Sequence, residues 1–254
     1  MRSISPSLIK EFMFCPQAFL YRKVHRLSLI PPMEINEIIL AQERVDRITE
    51  AFFSILKTHW YRRNDLKTQF NLNSFFDSMF SFFLKYNTQD EVLTYQELGE
   101  KVFTLLSWLV QYLWTIYVLN DKIPQFLPIM VNHFIQAPSI YLQGRPSAVF
   151  KIPKDSVLIL IQTYSRELPH TRDQELLQAS IYARILETMG LKAQNFLYIN
   201  YCTMSLVFQE LKHVDFLKME ISLSKFRSNL DEGNFDPPNN PPCDICEFNC
   251  LCDR

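Results

Sequence analysis

The sequence predicts an α/β protein with a helical first half and a second half that alternates strands with helices. Apolar residues recur every three or four positions from Ile38 to Ile55, which is the period of an amphipathic helix. Segments between Phe126 and Ser165 are instead rich in Val, Ile, Phe and Tyr and are punctuated by Pro and Gly, which is typical of strands. The chain therefore changes from helices to strands near its middle.

The helical half begins at Ser5-Pro6, where Ser is a good N-cap and Pro suits the first turn. A break at Cys15-Pro16 predicts two short helices that meet at the cysteine. The long helix through Ile38–Ile55 follows, and Phe-rich helical segments are predicted at 74–86 and 94–119.

The segment Val102–Leu119 is uncharged and nearly long enough to span a membrane. Polar residues recur along it at nearly helical spacing, at Thr104, Ser107, Gln111 and Thr115. We therefore expect a central helix that the protein surrounds completely, and no contact with a membrane.

The second half is expected to contain strands and helices in alternation, each bounded by turn residues. Gly190 and Gly233 are placed to end the two helices. The predicted strands are Phe126–Ala137, Ile140–Ile152, Ser156–Ser165, Asn195–Tyr201 and Leu206–Leu211, and the predicted helices are Thr171–Met189 and Asp215–Leu230.

Composition narrows the classes of protein that this chain can represent. Its 254 residues are 48% hydrophobic, which is enough for a substantial core and excludes intrinsic disorder. Only 4 Gly are present, which argues against a Gly-rich phosphate loop or a dinucleotide fingerprint. Lys and Arg total 26 against 27 Asp and Glu, so any contact with nucleic acid would be a local patch.

Four cysteines lie within the last dozen residues, at Cys243, Cys246, Cys250 and Cys252. This is not a disulfide framework, because the chain is long and no apolar signal segment opens it, so we expect a cytoplasmic protein. The four thiolates could close a tetrahedral zinc site unaided. Alternatively, Cys15 could join three of them around an iron–sulfur cluster, and spacing alone does not decide.

Motifs at both ends of the chain resemble one protein family. These are Ser5-Pro6-Ser7-Leu8-Ile9 with Phe14-Cys15-Pro16-Gln17-Ala18-Phe19-Leu20-Tyr21, and the Pro-rich connector followed by Cys243-x2-Cys246-x5-Cys252. They resemble the RecB-like, CRISPR-associated exonucleases of the PD-(D/E)XK superfamily. The resemblance implies a nuclease-like mixed sheet flanked by helices. It also implies a 4Fe–4S cluster on Cys15, Cys243, Cys246 and Cys252, with Cys250 as an alternate ligand.

The resemblance also implies positions for a nuclease site, most of which have lost the expected residue. Asp46 stands where the family has His, Ser147 replaces the carboxylate of Gly-x-x-Asp, and Leu160 and Gln162 replace the acid and the Lys of (Asp/Glu)-x-Lys-Thr. The family's Gln-x-x-x-Tyr is retained as Gln178 and Tyr182. Phosphodiester hydrolysis needs carboxylates around a divalent metal and a Lys beside the water. We therefore predict a nuclease-like protein without activity.

Three functions remain open at this point. The favoured one is a non-cleaving DNA-binding or scaffold subunit of a DNA-processing complex, for CRISPR spacer acquisition or recombinational repair. The second is an active metal-dependent exonuclease that uses relocated carboxylates at Asp155, Glu167 or Asp173. The third is a zinc-stapled interaction protein unrelated to DNA.

Two basic and aromatic clusters are candidate nucleic-acid contacts. One contains Arg22 and Lys23, and the other contains Arg62 and Arg63. Each could touch phosphate and stack on bases, although basic residues at helix ends are also common solvated groups. We expect weak binding of DNA by the chain alone and stronger binding with protein partners.

The predicted organisation is one nuclease-like domain over residues 1–235, with a helical insertion at about 60–122. Residues 236–254 form a cysteine-rich tail that a Pro-rich connector delivers to Cys15.

Overall fold

A computed structural model describes residues 3–26, 33–61, 77, 93–119, 127–153, 155–164, 171–237, 246 and 248. Its helices and strands follow the predicted order closely. The helices are α1 (Pro6–Phe14), α2 (Pro16–Phe19), α3 (Met33–Tyr61), α4 (Leu93–Leu119), α5 (Thr171–Thr188) and α6 (His213–Glu232). The strands are β1 (Pro128–Val131), β2 (Ile135–Ala137), β3 (Leu142–Gly144), β4 (Ala148–Ile152), β5 (Ser156–Thr163), β6 (Lys192–Asn200) and β7 (Ser205–Glu210).

The N-terminal helices begin and break as the sequence indicates. The Ser5 hydroxyl accepts a hydrogen bond from the Leu8 amide, and Pro6 occupies the first turn of α1. The chain becomes extended at Cys15, with φ −160° and ψ 110°, which ends α1, and Pro16 then starts α2. Cys15 therefore sits at a sharp junction between two helices.

A five-stranded mixed sheet forms the centre of the fold, in the order β1-β4-β5-β6-β7. Strands β5 and β6 are parallel and are connected through α5, whereas the other pairs are antiparallel. Side chains on one face, such as Ile159 and Ile161, pack with α1, α5 and α6. Those on the other face, such as Leu158 and Leu160, pack with α3 and α4. The predicted mixed sheet flanked by helices is confirmed.

Two predicted strands are wrong in their extent. The predicted strand Phe126–Ala137 is divided between β1 and β2. The division occurs because Asn132 adopts φ 43° and its backbone N–H donates to the Ser147 carbonyl at 3.0 Å. The segment Ile140–Ile152 is likewise divided between β3 and β4, with Pro146 between them. Strands β2 and β3 pair with each other in a separate two-stranded sheet. Short turns that the hydrophobic pattern did not reveal cause both divisions.

The sequence suggested that the protein surrounds helix α4 completely, and this prediction is wrong. Val102, Leu106 and Leu113 are fully buried against α3 and the sheet, whereas the side chains of Trp108 and Tyr112 are 64% and 42% exposed. The helix is therefore amphipathic, with the Glu97–Lys101 ion pair on its outer face and no charged residue from Val102 to Leu119. Among the described residues, no helix has the length and apolar character needed to cross a membrane.

Some predicted features lie outside the described residues. These are the helix at 74–86 except for residue 77, the part of the insertion predicted at about 60–122 that covers residues 62–92, and the tail from residue 238 apart from 246 and 248. The predicted domain boundaries stay predictions.

Candidate functional site

The positions that the resemblance assigned to a nuclease site cluster around the carboxyl end of β5. Leu160 and Gln162 are two residues apart on this strand, so their side chains share the face covered by α3 and α4. Asp46 belongs to α3 on that same face. The Gln42 amide joins the two elements, because its nitrogen donates to Asp46 Oδ1 at 3.1 Å and its oxygen accepts from the Tyr164 amide at 2.8 Å.

Gln162 lies in a closed network of buried polar groups. Its side chain is 7% exposed, and its oxygen accepts from the Thr49 hydroxyl at 3.0 Å. Its nitrogen donates to the Tyr201 hydroxyl at 2.7 Å. Thr49 and Tyr201 are both fully buried. Burial raises the pKa of Tyr201, which keeps this phenol neutral. The position of the family's Lys is therefore filled by a neutral amide whose two ends are both hydrogen-bonded.

The neighbouring positions offer no better ligands for a divalent cation. Leu160 is fully buried in the apolar layer beneath α3 and α4 and pairs with Ala148 on β4. Ser147 precedes β4, and its carbonyl accepts the Asn132 amide. Over the residues that the structure describes, no three His, Cys, Asp or Glu side chains are grouped so that they could hold a metal ion.

Asp46 is the one carboxylate among these positions. Burial raises the pKa of Asp46, and Glu50 and Glu43 on the same helix raise it further. The Gln42 hydrogen bond and the positive charge of Arg145 oppose this rise. The side-chain amide of Asn132 donates a hydrogen bond to the Glu50 carboxylate at 2.9 Å. The pKa of Asp46 therefore lies above its ordinary value, mainly because of burial.

The retained pair Gln178 and Tyr182 makes structural contacts in α5. Gln178 donates to the Tyr182 hydroxyl at 3.0 Å, and that hydroxyl donates to the Arg145 carbonyl at 3.1 Å. Tyr182 is 4% exposed, and its ring packs directly under Gly144. A β-carbon at Gly144 would lie 2.4 Å from Tyr182 Cε1, so the glycine is needed for this close approach. The pair thus anchors the loop between β3 and β4 to α5.

The proposed relocated carboxylates are far from forming a shared site. Asp155 lies in the tight turn between β4 and β5 with φ 54°, at the opposite end of β5 from Gln162. Asp173 is in the first turn of α5, where its oxygen is 4.0 Å from the Lys218 ammonium. Glu167 lies outside the described residues.

A second candidate site joins the two ends of the chain. Cys15 is 4% exposed and packs with Ala18 and Phe248, and Cys246 packs against this small cluster. The Tyr21 ring lies 5.6 Å from the Phe248 ring. Cys15 and Cys246, two of the four implied ligands, thus lie together in one apolar pocket. Cys243, Cys250 and Cys252 lie outside the described residues.

The pocket brings together two donors of the kind that an iron–sulfur cluster uses, in an apolar and aromatic setting. Cysteine thiolates are the usual ligands of such clusters, and an apolar, aromatic shell controls access of solvent. Cys202, by contrast, is exposed in the turn after β6 and has no place in this pocket.

The basic residues near Cys15 make contacts within the chain. The Arg22 guanidinium lies 5.7 Å from the centre of the Phe248 ring, an arrangement that supports a cation–π contact. Arg22 and Lys23 both approach the Glu11 carboxylate, at 3.8 and 3.3 Å. Their charge is thus partly compensated. Arg62 and Arg63 lie outside the described residues.

Sequence reasoning missed Thr49, Tyr201 and Asn132, which hold the nuclease-like positions in place. Thr49 was detectable, because it falls between Val45 and Phe52 on the apolar stripe of α3. A polar residue on such a stripe signals a buried hydrogen bond. No comparable signal marked Tyr201 or Asn132.

Comparisons with known proteins find only distant similarity to this chain. The crystal structure of a candidate exonuclease from Eubacterium rectale is similar over 100% of this chain and 90% of that chain, with 11% identity and a TM-score of 0.49. The crystal structure of SSO0001 is similar over 44% of this chain and 50% of that chain, with 17% identity and a TM-score of 0.30. No protein-family model matches the sequence, and no curated protein matches it.

Proposed function

We propose that this chain is a nuclease-like iron–sulfur protein that does not cleave DNA. It serves instead as a DNA-binding or scaffold subunit of a DNA-processing complex, such as one for CRISPR spacer acquisition or recombinational repair. The observation that carries the loss of cleavage is Gln162, which stands where the resemblance expects a Lys and whose side chain makes two buried hydrogen bonds.

The chemistry of the surrounding side chains supports this loss. Hydrolysis of a phosphodiester by this superfamily requires hard oxygen ligands for a divalent cation and a positive charge near the attacking water. Leu160 has no oxygen donor, and Gln162 carries no charge and is already committed to Thr49 and Tyr201. Asp46 is the one carboxylate among these positions, and its side chain is already hydrogen-bonded to Gln42. The side chains are therefore arranged for stability rather than for metal-assisted hydrolysis.

The meeting of Cys15 and Cys246 supports a structural role for the cluster. In the proposal, Cys15, Cys243, Cys246 and Cys252 hold a 4Fe–4S cluster, and the free energy of ligation becomes free energy of folding. The cluster then cross-links two segments that are separated by most of the chain. The buried Phe248 packs with Cys15 and Ala18, and the Arg22 guanidinium lies over its ring.

Metal and sulfide analysis tests the cofactor. Protein purified without oxygen should be brown and contain iron and acid-labile sulfide in near-stoichiometric amounts. Stoichiometric zinc without sulfide would instead establish the zinc-stapled alternative. Loss of iron and sulfide through oxidation is recognised by keeping one half of each preparation strictly anaerobic, exposing the other half to air, and comparing their iron and sulfide contents.

A cleavage assay tests the absence of activity. Labelled single- and double-stranded DNA should stay intact with Mg²⁺ or Mn²⁺ and the iron-loaded protein. Cleavage that disappears in Asp155→Asn or Asp173→Asn, but survives in the exposed control Asp231→Asn, would establish relocated carboxylates and overturn the proposal.

A salt series tests the binding of DNA. Because Arg22 and Lys23 share their charge with Glu11, few phosphate contacts are expected, and each contributes about 0.9 to the slope of log affinity against log salt. The slope should therefore be shallow, and Arg62→Ala combined with Arg63→Ala should reduce it. Absence of binding at low salt, with and without a co-purified partner, would leave only the scaffold role.

A further inference from the structure

Among the described residues that follow Phe226, Phe248 is the only buried one. Its side chain is 0% exposed and packs with Cys15 and Ala18, which lie at the junction of α1 and α2. Over its described part, the tail therefore has one fully buried side chain, and that side chain packs on Cys15.

The groups around the Phe248 ring are held by contacts within the N-terminal helices. The Tyr21 ring lies 5.6 Å from the Phe248 ring, and the Gln17 side chain donates to the Tyr21 hydroxyl at 3.2 Å. The Arg22 guanidinium lies 5.7 Å from the centre of the Phe248 ring. One nitrogen of that guanidinium is 3.8 Å from the Glu11 carboxylate of α1. The pocket for the ring is thus fixed by contacts that do not involve the tail.

Tyr21 and Arg22 lie on an unusual turn of helix. The segment Leu20–Val24 is a π turn, in which the His25 N–H donates to the Leu20 carbonyl at 3.0 Å. Such turns are rare and often occur at functional sites. A role in receiving the tail accounts for this one, because two of its side chains contact the Phe248 ring.

The connector to the tail begins and ends beside α2. Phe235, soon after α6, stacks on Phe19 with ring centres 6.4 Å apart and ring planes 16° from parallel. Phe248 then packs on Ala18 of the same helix. The segment 236–247 therefore closes a short loop, and the entropic cost of closing a loop rises only slowly with its length. Docking of the ring is thus an intramolecular contact at high effective concentration, which requires no metal.

We propose that Phe248 is a positioning residue that docks the cysteine-rich tail on α1 and α2 without metal and keeps the Cys15 thiol covered. Docking then holds Cys246 beside Cys15 before any metal binds. The ligand role of these two cysteines rests on the proposed function, whereas the docking itself does not. Burial of a Phe side chain shifts such an equilibrium by about 10- to 150-fold.

Alkylation of Cys15 in the metal-free, full-length protein tests this docking. The protein is freed of metal with a chelator under a reductant and receives a brief pulse of N-ethylmaleimide. Mass spectrometry of peptides then gives the rate for each cysteine, divided by the rate of the same thiol in the urea-unfolded chain. Cys15 should be protected at least about tenfold, whereas the exposed Cys202 should have almost no protection.

Two substitutions of Phe248 separate its ring from its burial. Phe248→Ala should lower the protection of Cys15 about tenfold, because it removes the side chain that packs on the thiol. Phe248→Leu retains an apolar side chain and should therefore keep most of the protection. Phe208→Ala is the matched control, since Phe208 is 45% exposed and contacts Tyr112 of α4, on the opposite face of the sheet from α1. It should leave the protection of Cys15 unchanged.

Circular dichroism of each variant separates local release of the tail from global unfolding. The proposal is overturned if Cys15 of the metal-free wild type reacts as fast as in urea, or if Phe248→Ala leaves Cys15 protected. It is also overturned if protection is lost only in variants whose secondary structure is lost. Zinc in place of iron, or absence of DNA binding, would contradict the proposed function and leave these rates unchanged.

Discussion

Replacing Gln162 with Leu tests whether the buried amide is a structural substitute for catalytic groups. The variant removes both hydrogen bonds of the side chain and leaves the hydroxyls of Thr49 and Tyr201 without these partners. Both hydroxyl-bearing residues are 0% exposed, so water does not replace the lost bonds. Tyr201 also shares a hydrogen bond with Thr49, so the Thr49 hydroxyl is the donor left without its acceptor. An orphaned buried group costs about 1–3 kcal/mol, which predicts a loss of about that size in the free energy of unfolding. This is a large share of the stability of a typical domain, at about 5–15 kcal/mol.

Urea denaturation followed by circular dichroism measures this loss. The midpoint should fall while the slope with urea stays constant, because the variant changes stability and not the surface exposed on unfolding. Gln136→Leu is the matched control, since Gln136 is exposed on β2 and its substitution should change stability by less than about 0.5 kcal/mol.

A triple variant separates orphaned polar groups from simple loss of packing. Thr49→Val and Tyr201→Phe, added to Gln162→Leu, remove all three polar groups together. Apolar replacement of every partner is nearly neutral when shape is retained, so the triple variant should recover most of the lost stability. The reasoning is refuted if Gln162→Leu lies within about 0.5 kcal/mol of the wild type, or if the triple variant is no more stable than the single one.

Three further predictions concern the other parts of the candidate sites. Cys15→Ser should abolish iron binding and lower the melting temperature, whereas Cys202→Ser should change neither, because Cys202 is exposed and outside the apolar pocket; equal effects in melting and iron analysis would contradict the ligand assignment. Gly144→Ala should cost about 1–3 kcal/mol in urea denaturation, because the new carbon would lie 2.4 Å from Tyr182 Cε1, and unchanged stability would show that the contact relaxes freely. Burial raises the pKa of Asp46 above its ordinary 3.8, so the native state binds more protons than the unfolded state between these two pKa values. The free energy of unfolding therefore falls as the pH rises from 3.8 through the raised pKa. Asp46→Asn should therefore be more stable than the wild type at neutral pH and show a flatter pH dependence, and a steeper one would disprove the assigned cause.

Local sequence signals determined most of the secondary structure. The Ser5-Pro6 start, the break at Cys15-Pro16 and the helix ends at Gly190 and Gly233 all depend on residues that contact near neighbours along the chain. Such signals are readable without tertiary structure because capping, φ restriction and helical period are properties of a few consecutive residues. The α/β class followed from the change of hydrophobic period, and the structure confirms it.

The sequence also determined that the nuclease-like positions lack the groups that metal-assisted hydrolysis needs. Whatever the fold, Leu160 cannot ligate a hard cation and Gln162 cannot supply a positive charge. The sequence did not show what the replacements do instead. The bond between Thr49 and Gln162 spans 113 positions, and the bond from Gln162 to Tyr201 spans 39.

Only the tertiary structure decided which groups meet across such separations. It turned Gln162 from an isolated substitution into the centre of a buried network, and it brought Cys246 against the pocket of Cys15. It also left Trp108 exposed on α4, although the sequence alone suggested a fully buried helix. The physical reason is that hydrophobic period records which face of an element is apolar, whereas the packing of helices on the sheet decides how much of that face is covered.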